Sequence, residues 1–89
     1  MVVWRSVALA DVASIAKHIS KDNPIAAARV ARELLLAGDS LVLFPHRGRR
    51  GRQLGTRELV AIWPYILVYR VAGDDAVTIL RVWHGSQDR

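Results

Sequence analysis

Apolar side chains recur along this chain at spacings that change from one segment to the next, and each spacing predicts its own kind of element. Val2, Val3 and Trp4 form a short continuous run suited to an edge or second strand. From about Leu9 the period changes: Leu9, Val12, Ala16 and Ile19, with Ile15 beside them, fall at three- and four-residue steps, while Lys17, His18 and Lys21 fall elsewhere. That spacing predicts an amphipathic helix. Asp22-Asn23-Pro24 ends it, because proline cannot continue a helix, and opens a second helix with Asn23 as its cap and Pro24 at its first position. Ala26, Ala27, Ala28, Val30, Ala31, Leu34 and Leu35 carry the second helix onward, with Arg29, Arg32 and Glu33 on its wetter side. Leu34, Ala37, Leu41 and Phe44 keep the spacing beyond Gly38, so the helix is predicted to reach about Leu43 before Pro45 stops it.

The final third changes to runs of strand length. Residues 57–62, 65–71 and 77–83 are rich in β-branched and aromatic side chains, and Trp63-Pro64 and Ala72-Gly73-Asp74-Asp75 separate them. These read as a three-stranded meander with tight antiparallel turns. In the last strand, strict alternation would put Val77, Ile79, Arg81 and Trp83 on one face and Thr78, Leu80, Val82 and His84 on the other. The predicted fold class is α+β: an N-terminal strand, then a helical hairpin packed on a mostly antiparallel four-stranded sheet, all within one domain over residues 1–89.

Charge singles out one segment. The chain carries a net +5, yet residues 1–44 hold only +1 and residues 58–89 hold −1. The excess lies between Pro45 and Arg57, where Arg47, Arg49, Arg50, Arg52 and Arg57 occur with no acid among them. A one-sided block of guanidinium groups suits a polyanion or a strongly acidic protein surface. Other chemistries are narrowed by what the sequence lacks. With no cysteine, and with His18, His46 and His84 at none of the usual ligand spacings, neither a disulfide scaffold nor a metal site is expected. No phosphate-cradling glycine loop precedes a helix, and no cofactor is expected. No apolar run is long enough to span a bilayer and no secretory pattern opens the chain, so a cytoplasmic protein without a membrane partner is expected.

Taken in order, Asp22-Asn23-Pro24 with Arg29, Pro45 with Arg47-Gly48-Arg49, Gly55-Thr56-Arg57-Glu58-Leu59-Val60, Pro64-Tyr65-Ile66, Tyr69-Arg70-Val71 and Ile79-Leu80-Arg81-Val82-Trp83-His84-Gly85 resemble the RelE/ParE toxins of bacterial type II toxin–antitoxin modules. The resemblance covers nearly the whole chain. It implies a growth-inhibiting toxin neutralised by a cognate antitoxin protein, acting either by poisoning DNA gyrase or by cleaving mRNA on the ribosome.

The two activities need different residues. Cleavage requires activation of a 2′-hydroxyl, stabilisation of a crowded phosphate and protonation of the leaving oxygen. Arg57, Arg70 and Arg81 are the candidate cations and His84 the candidate proton-transfer group. The chain departs from the RNA-cleaving relatives, which carry loop lysines and a tyrosine or His-Tyr pair near the C-terminus; here the loop is all arginine and the end reads Trp83-His84-Gly85-Ser86-Gln87-Asp88-Arg89. Gyrase inhibition needs only an adhesive surface, for which Arg47, Arg49, Arg50, Arg52 and Arg57 are candidates, with Trp63 and Trp83 as aromatic anchors. The strand motifs look more like the ParE side. Three readings are carried forward: gyrase inhibitor first, ribosome-dependent endoribonuclease second, and third an inactive homologue that serves only as antitoxin partner and co-repressor. The plainer roles are core packing for the tryptophans, Tyr65 and Tyr69, and a cross-strand charge balance with Arg57 or Arg70 for Glu58.

Overall fold

The computed structural model describes residues 1–85. Its elements run β1 (Val2–Trp4), α1 (Ser6–Ser20), α2 (Pro24–Asp39), a 3₁₀ turn (Ser40–Val42), β2 (Arg49–Arg50), β3 (Arg57–Ile62), β4 (Tyr65–Val71) and β5 (Val77–His84). The sheet order is β1-β5-β4-β3-β2, with β1 parallel to β5 and every other neighbour antiparallel. The helical hairpin covers one face of this sheet, as the α+β reading expects. The sheet has five strands where four were predicted, because the basic segment contributes β2. Two arginines with no apolar alternation give no strand signal; pairing with β3 makes them one.

Local chemistry places the helices. Asn23 Oδ1 accepts a hydrogen bond from the Ala26 amide at 3.0 Å, capping α2 with Pro24 at its first position. The helix passes through Gly38 and then tightens into the 3₁₀ turn, which carries Leu41 into the core and ends close to the predicted limit. Gly38 is there for space. A Cβ on it would collide with the Trp4 indole and lie 2.7 Å from Ile79 Cδ1. In α1 the inward stripe keeps Val12, Ile15, Ala16 and Ile19 as expected but begins at Ala8, which is buried, while Leu9 is 46% exposed. The fully buried Ala8 joins Leu41, Tyr69, Val77 and Ile79 in one half of the core, and Val12, Leu34, Leu67 and Val82 form the other half. Trp4 packs against both halves.

The alternation predicted for the last strand fails in its middle. Tyr69 pairs with Ile79 but Val68 pairs with Arg81, so Leu80 is an extra residue in β5. This β-bulge moves the inward positions from Val77 and Ile79 to Val82, so that Val82 joins the core and Arg81 and Trp83 do not. Among the described residues no helix is long and apolar enough to cross a membrane.

Candidate functional site

The arginine segment is held from beneath by three groups. The Tyr69 hydroxyl, fully buried, accepts from the Gly48 amide at 2.9 Å. Arg57 Nη1 donates to the carbonyls of Gly48 at 2.7 Å and His46 at 3.1 Å. The Glu58 carboxylate, only 4% exposed, accepts from the Arg52 amide at 3.2 Å and meets Arg49 Nη2 at 3.4 Å. Together they tie the strand-to-strand connection to the core.

The connection between β2 and β3 is closed by its own bonds. The Gly51 amide donates to the Thr56 carbonyl at 2.8 Å, and the Thr56 amide and hydroxyl both donate to the Gln53 carbonyl. Gly55 sits at φ +82°, a left-handed conformation that glycine adopts without penalty. The outcome is an ordered arginine hairpin. Arg47 leans back onto Ser40 Oγ at 3.1 Å, while Arg49, Arg50 and Arg52 are exposed. Of the arginines predicted for target contact, all five lie in this segment, and Arg57 alone is turned to holding backbone.

The residues considered for RNA cleavage are brought together only in part. Arg81 and His84 line one cleft of about 420 Å³ with Asp11, Ser14, His18 and Tyr65. Arg57 lines a different cleft, and Arg70 is exposed on β4 across from Thr78. Within the first cleft Arg81 is engaged in both directions: Nε donates to Asp11 Oδ2 at 2.8 Å and Nη2 to Oδ1 at 3.1 Å. The hydrogen bonds to Asp11 raise its pKa further above the ordinary arginine value, so it stays charged throughout the working range. The His84 ring meets Tyr65 edge-on, with centroids 5.4 Å apart. Ser86 to Arg89, part of the C-terminal stretch compared above with the RNA-cleaving relatives, lie outside the described residues. Among the described residues no three His, Asp or Glu side chains gather as metal ligands.

The aromatic anchors differ from one another. Trp63 is 72% exposed, whereas Trp83 is half-buried opposite Ile66 and Trp4 belongs to the core, its indole N–H donating to Asp39 Oδ1. Tyr69 is core, as expected, while Tyr65 is half-buried in the Arg81 cleft. The register places Arg49 directly across from Glu58, and Arg49 supplies a cation to it, a partner the sequence reading did not name. Asp11 was also missed; its one signal in sequence is an acid lying between Ala8 and Val12 on the inward side of a helix.

A strand, a helical hairpin and an antiparallel sheet in this order define the RelE/ParE class of small α+β toxins, and solved structures bear this out. The chain superposes on the chromosomal ParDE TA system from P. aeruginosa with a TM-score of 0.80 at 26% identity, covering 93% of this chain and 92% of that one. On the RelBE2 toxin–antitoxin complex from Mycobacterium tuberculosis the TM-score is 0.67, again at 26% identity, over 94% and 95% of the two chains. The model of the ParE toxin of type II toxin–antitoxin systems matches residues 2–89, and the chain belongs to that family. It is 43% identical to Toxin RelE2 of Caulobacter vibrioides over 97% of this chain and 96% of that protein. It is 46% identical to the putative toxin Y4kP of Sinorhizobium fredii over 94% and 86%.

Proposed function

We propose that this toxin arrests growth by binding DNA gyrase through the arginine hairpin, and that a cognate antitoxin neutralises it. The observation that carries this reading is the bidentate pairing of Arg81 with Asp11. A guanidinium spent on a carboxylate is not available to stabilise a phosphorane, and although His84 shares its cleft, the other candidate cations, Arg57 and Arg70, lie apart from it. The arginine hairpin, in contrast, presents Arg50 and Arg52 outward on a fixed backbone, with Arg49 exposed beside the Glu58 carboxylate, and preorganised contacts bind with less loss of conformational freedom. Exposed Trp63 on the β3–β4 turn offers an aromatic anchor on the same meander.

An antitoxin partner agrees with the solved relatives, which are toxin–antitoxin systems. Large apolar side chains left in solvent along the end of α2 and the 3₁₀ turn, among them Leu36, Leu43 and Phe44, offer a surface for it to cover. The test is growth arrest in cells expressing variants. Replacing Arg49, Arg50 and Arg52 together by glutamine should abolish arrest at unchanged protein level, while His84→Ala should keep it. Loss of arrest in His84→Ala with a folded protein, and its survival in the triple variant, would transfer the function to mRNA cleavage. No arrest from the unaltered toxin would leave the antitoxin-partner role alone.

A further inference from the structure

The β2–β3 ladder has two pairs of opposed residues, and they are built in opposite ways. Arg49 stands across from Glu58, an opposite-charge pair that neutralises one side of the ladder. Arg50 stands across from Arg57, and like charges placed directly opposite destabilise a sheet. Among the described residues no acidic side chain pairs with either of these two arginines. Both arginines line a cleft of about 450 Å³ with His46, Gln53, Thr56 and Val71, and among the described residues no acidic side chain lines it. Asp75 is spent on His46 at 3.3 Å, and Glu58, beside Arg57 in β3, on Arg49 and the Arg52 amide.

The two guanidinium groups differ in freedom. Arg57 is fixed, since Nη1 bridges the Gly48 and His46 carbonyls, and this leaves its other nitrogens without a hydrogen-bond partner among the described residues. The Arg50 guanidinium makes no hydrogen bond or ion pair with a described residue. One anchored fork and one free fork thus flank an open cleft that no acidic side chain lines among the described residues.

We infer that this cleft is a phosphodiester site, with Arg50 and Arg57 each taking one non-bridging oxygen of a nucleic-acid backbone. Guanidinium forks match phosphate oxygens in geometry, and one phosphodiester charge relieves the repulsion within the pair. The site deepens the reading of the arginine hairpin as a target surface and rests on it: DNA held by gyrase would be contacted on the Arg50 side. It also divides the five arginines by role, because Arg49 faces Glu58 on the opposite side of the ladder.

The experiment is fluorescence anisotropy of the full toxin, without antitoxin or gyrase, against a labelled DNA duplex and a single-stranded RNA over a salt series. Arg50→Gln is the informative variant, since Arg50 is exposed and holds no backbone, whereas Arg57→Gln would also release the hairpin. Arg29→Gln on the exposed side of α2 removes the same charge elsewhere and serves as control. Arg50→Gln should weaken duplex binding about tenfold and lower the salt slope by about one, with Arg29→Gln within about twofold of the unaltered protein. Equal effects from both variants, or no binding to either nucleic acid, would overturn the site. Arg50-dependent binding to RNA alone would keep the phosphodiester site and count against gyrase as the target. Arg50-dependent DNA binding by a toxin that leaves gyrase untouched would likewise keep the site and remove the gyrase reading.

Discussion

Asp11 Oδ2 accepts at once from Arg81 Nε at 2.8 Å and from the Val82 amide at 2.9 Å, joining α1 to the bulge in β5. A bulge leaves ladder groups without their regular partners, and here a helix carboxylate supplies one. Arg81 is thereby a structural cation. Replacing Asp11 by alanine would leave the Val82 amide and a guanidinium unmatched, and should cost about 1–3 kcal/mol of unfolding free energy. Urea denaturation measures this. Asp11 and Arg81 should also couple in a double-mutant cycle, because each needs the other.

The same pair separates structure from activity. Arg81→Ala should lower stability, yet at a temperature where the variant remains folded it should still arrest growth. Circular dichroism beside a growth assay decides the point, and a fully folded but harmless Arg81→Ala would restore the nuclease reading.

Gly38 is held by packing rather than by backbone freedom. Alanine is the better helix former by about 1 kcal/mol, so Gly38→Ala would stabilise an exposed helix. Here its methyl group would meet the Trp4 indole and Ile79, and overpacking of that kind costs about 1–3 kcal/mol. The variant should show a lower urea midpoint, and a gain would mean that Trp4 can shift.

Tyr69→Phe removes the hydroxyl that receives the Gly48 amide in a buried setting. An orphaned buried amide costs about 1–3 kcal/mol, and the loss falls on the root of the arginine hairpin. Hydrogen exchange should accelerate at Gly48 and at the Arg52 amide more than in α1, and growth arrest should weaken although no arginine is changed.

Trp63→Ala should behave in the contrary way. An exposed side chain outside the core contributes within about 0.5 kcal/mol to stability, so the variant should unfold like the unaltered protein. Loss of gyrase binding with unchanged stability would mark Trp63 as an anchor, and full binding would remove it from the target surface.

Much of this architecture was legible in the sequence, because each of its signals is local. Asn23-Pro24 marks a helix start by its own chemistry, and Trp63-Pro64 and Gly73-Asp74 separate strands whose limits agree with the structure to within a residue. What escaped depends on pairing. Leu80 becomes a bulge only when β4 is laid beside β5, and that slip sends Val82 inward and Arg81 to Asp11. Arg49-Arg50 becomes a strand only against β3, and only then do Arg50 and Arg57 stand opposite one another. The site suffered most from this. The charge of the segment can be counted from composition, but which arginines are neutralised, anchored or free is a matter of register.

Gyrase binding as the route to growth arrest can be read by adding the purified, antitoxin-free chain to gyrase and relaxed plasmid with ATP. A gyrase-directed toxin should inhibit supercoiling or leave gyrase-dependent cleaved DNA, weakened by Arg49, Arg50 and Arg52 substitution and by salt. Undisturbed supercoiling by a folded chain that arrests growth in cells, accompanied by cleaved message on the ribosome, would contradict that route.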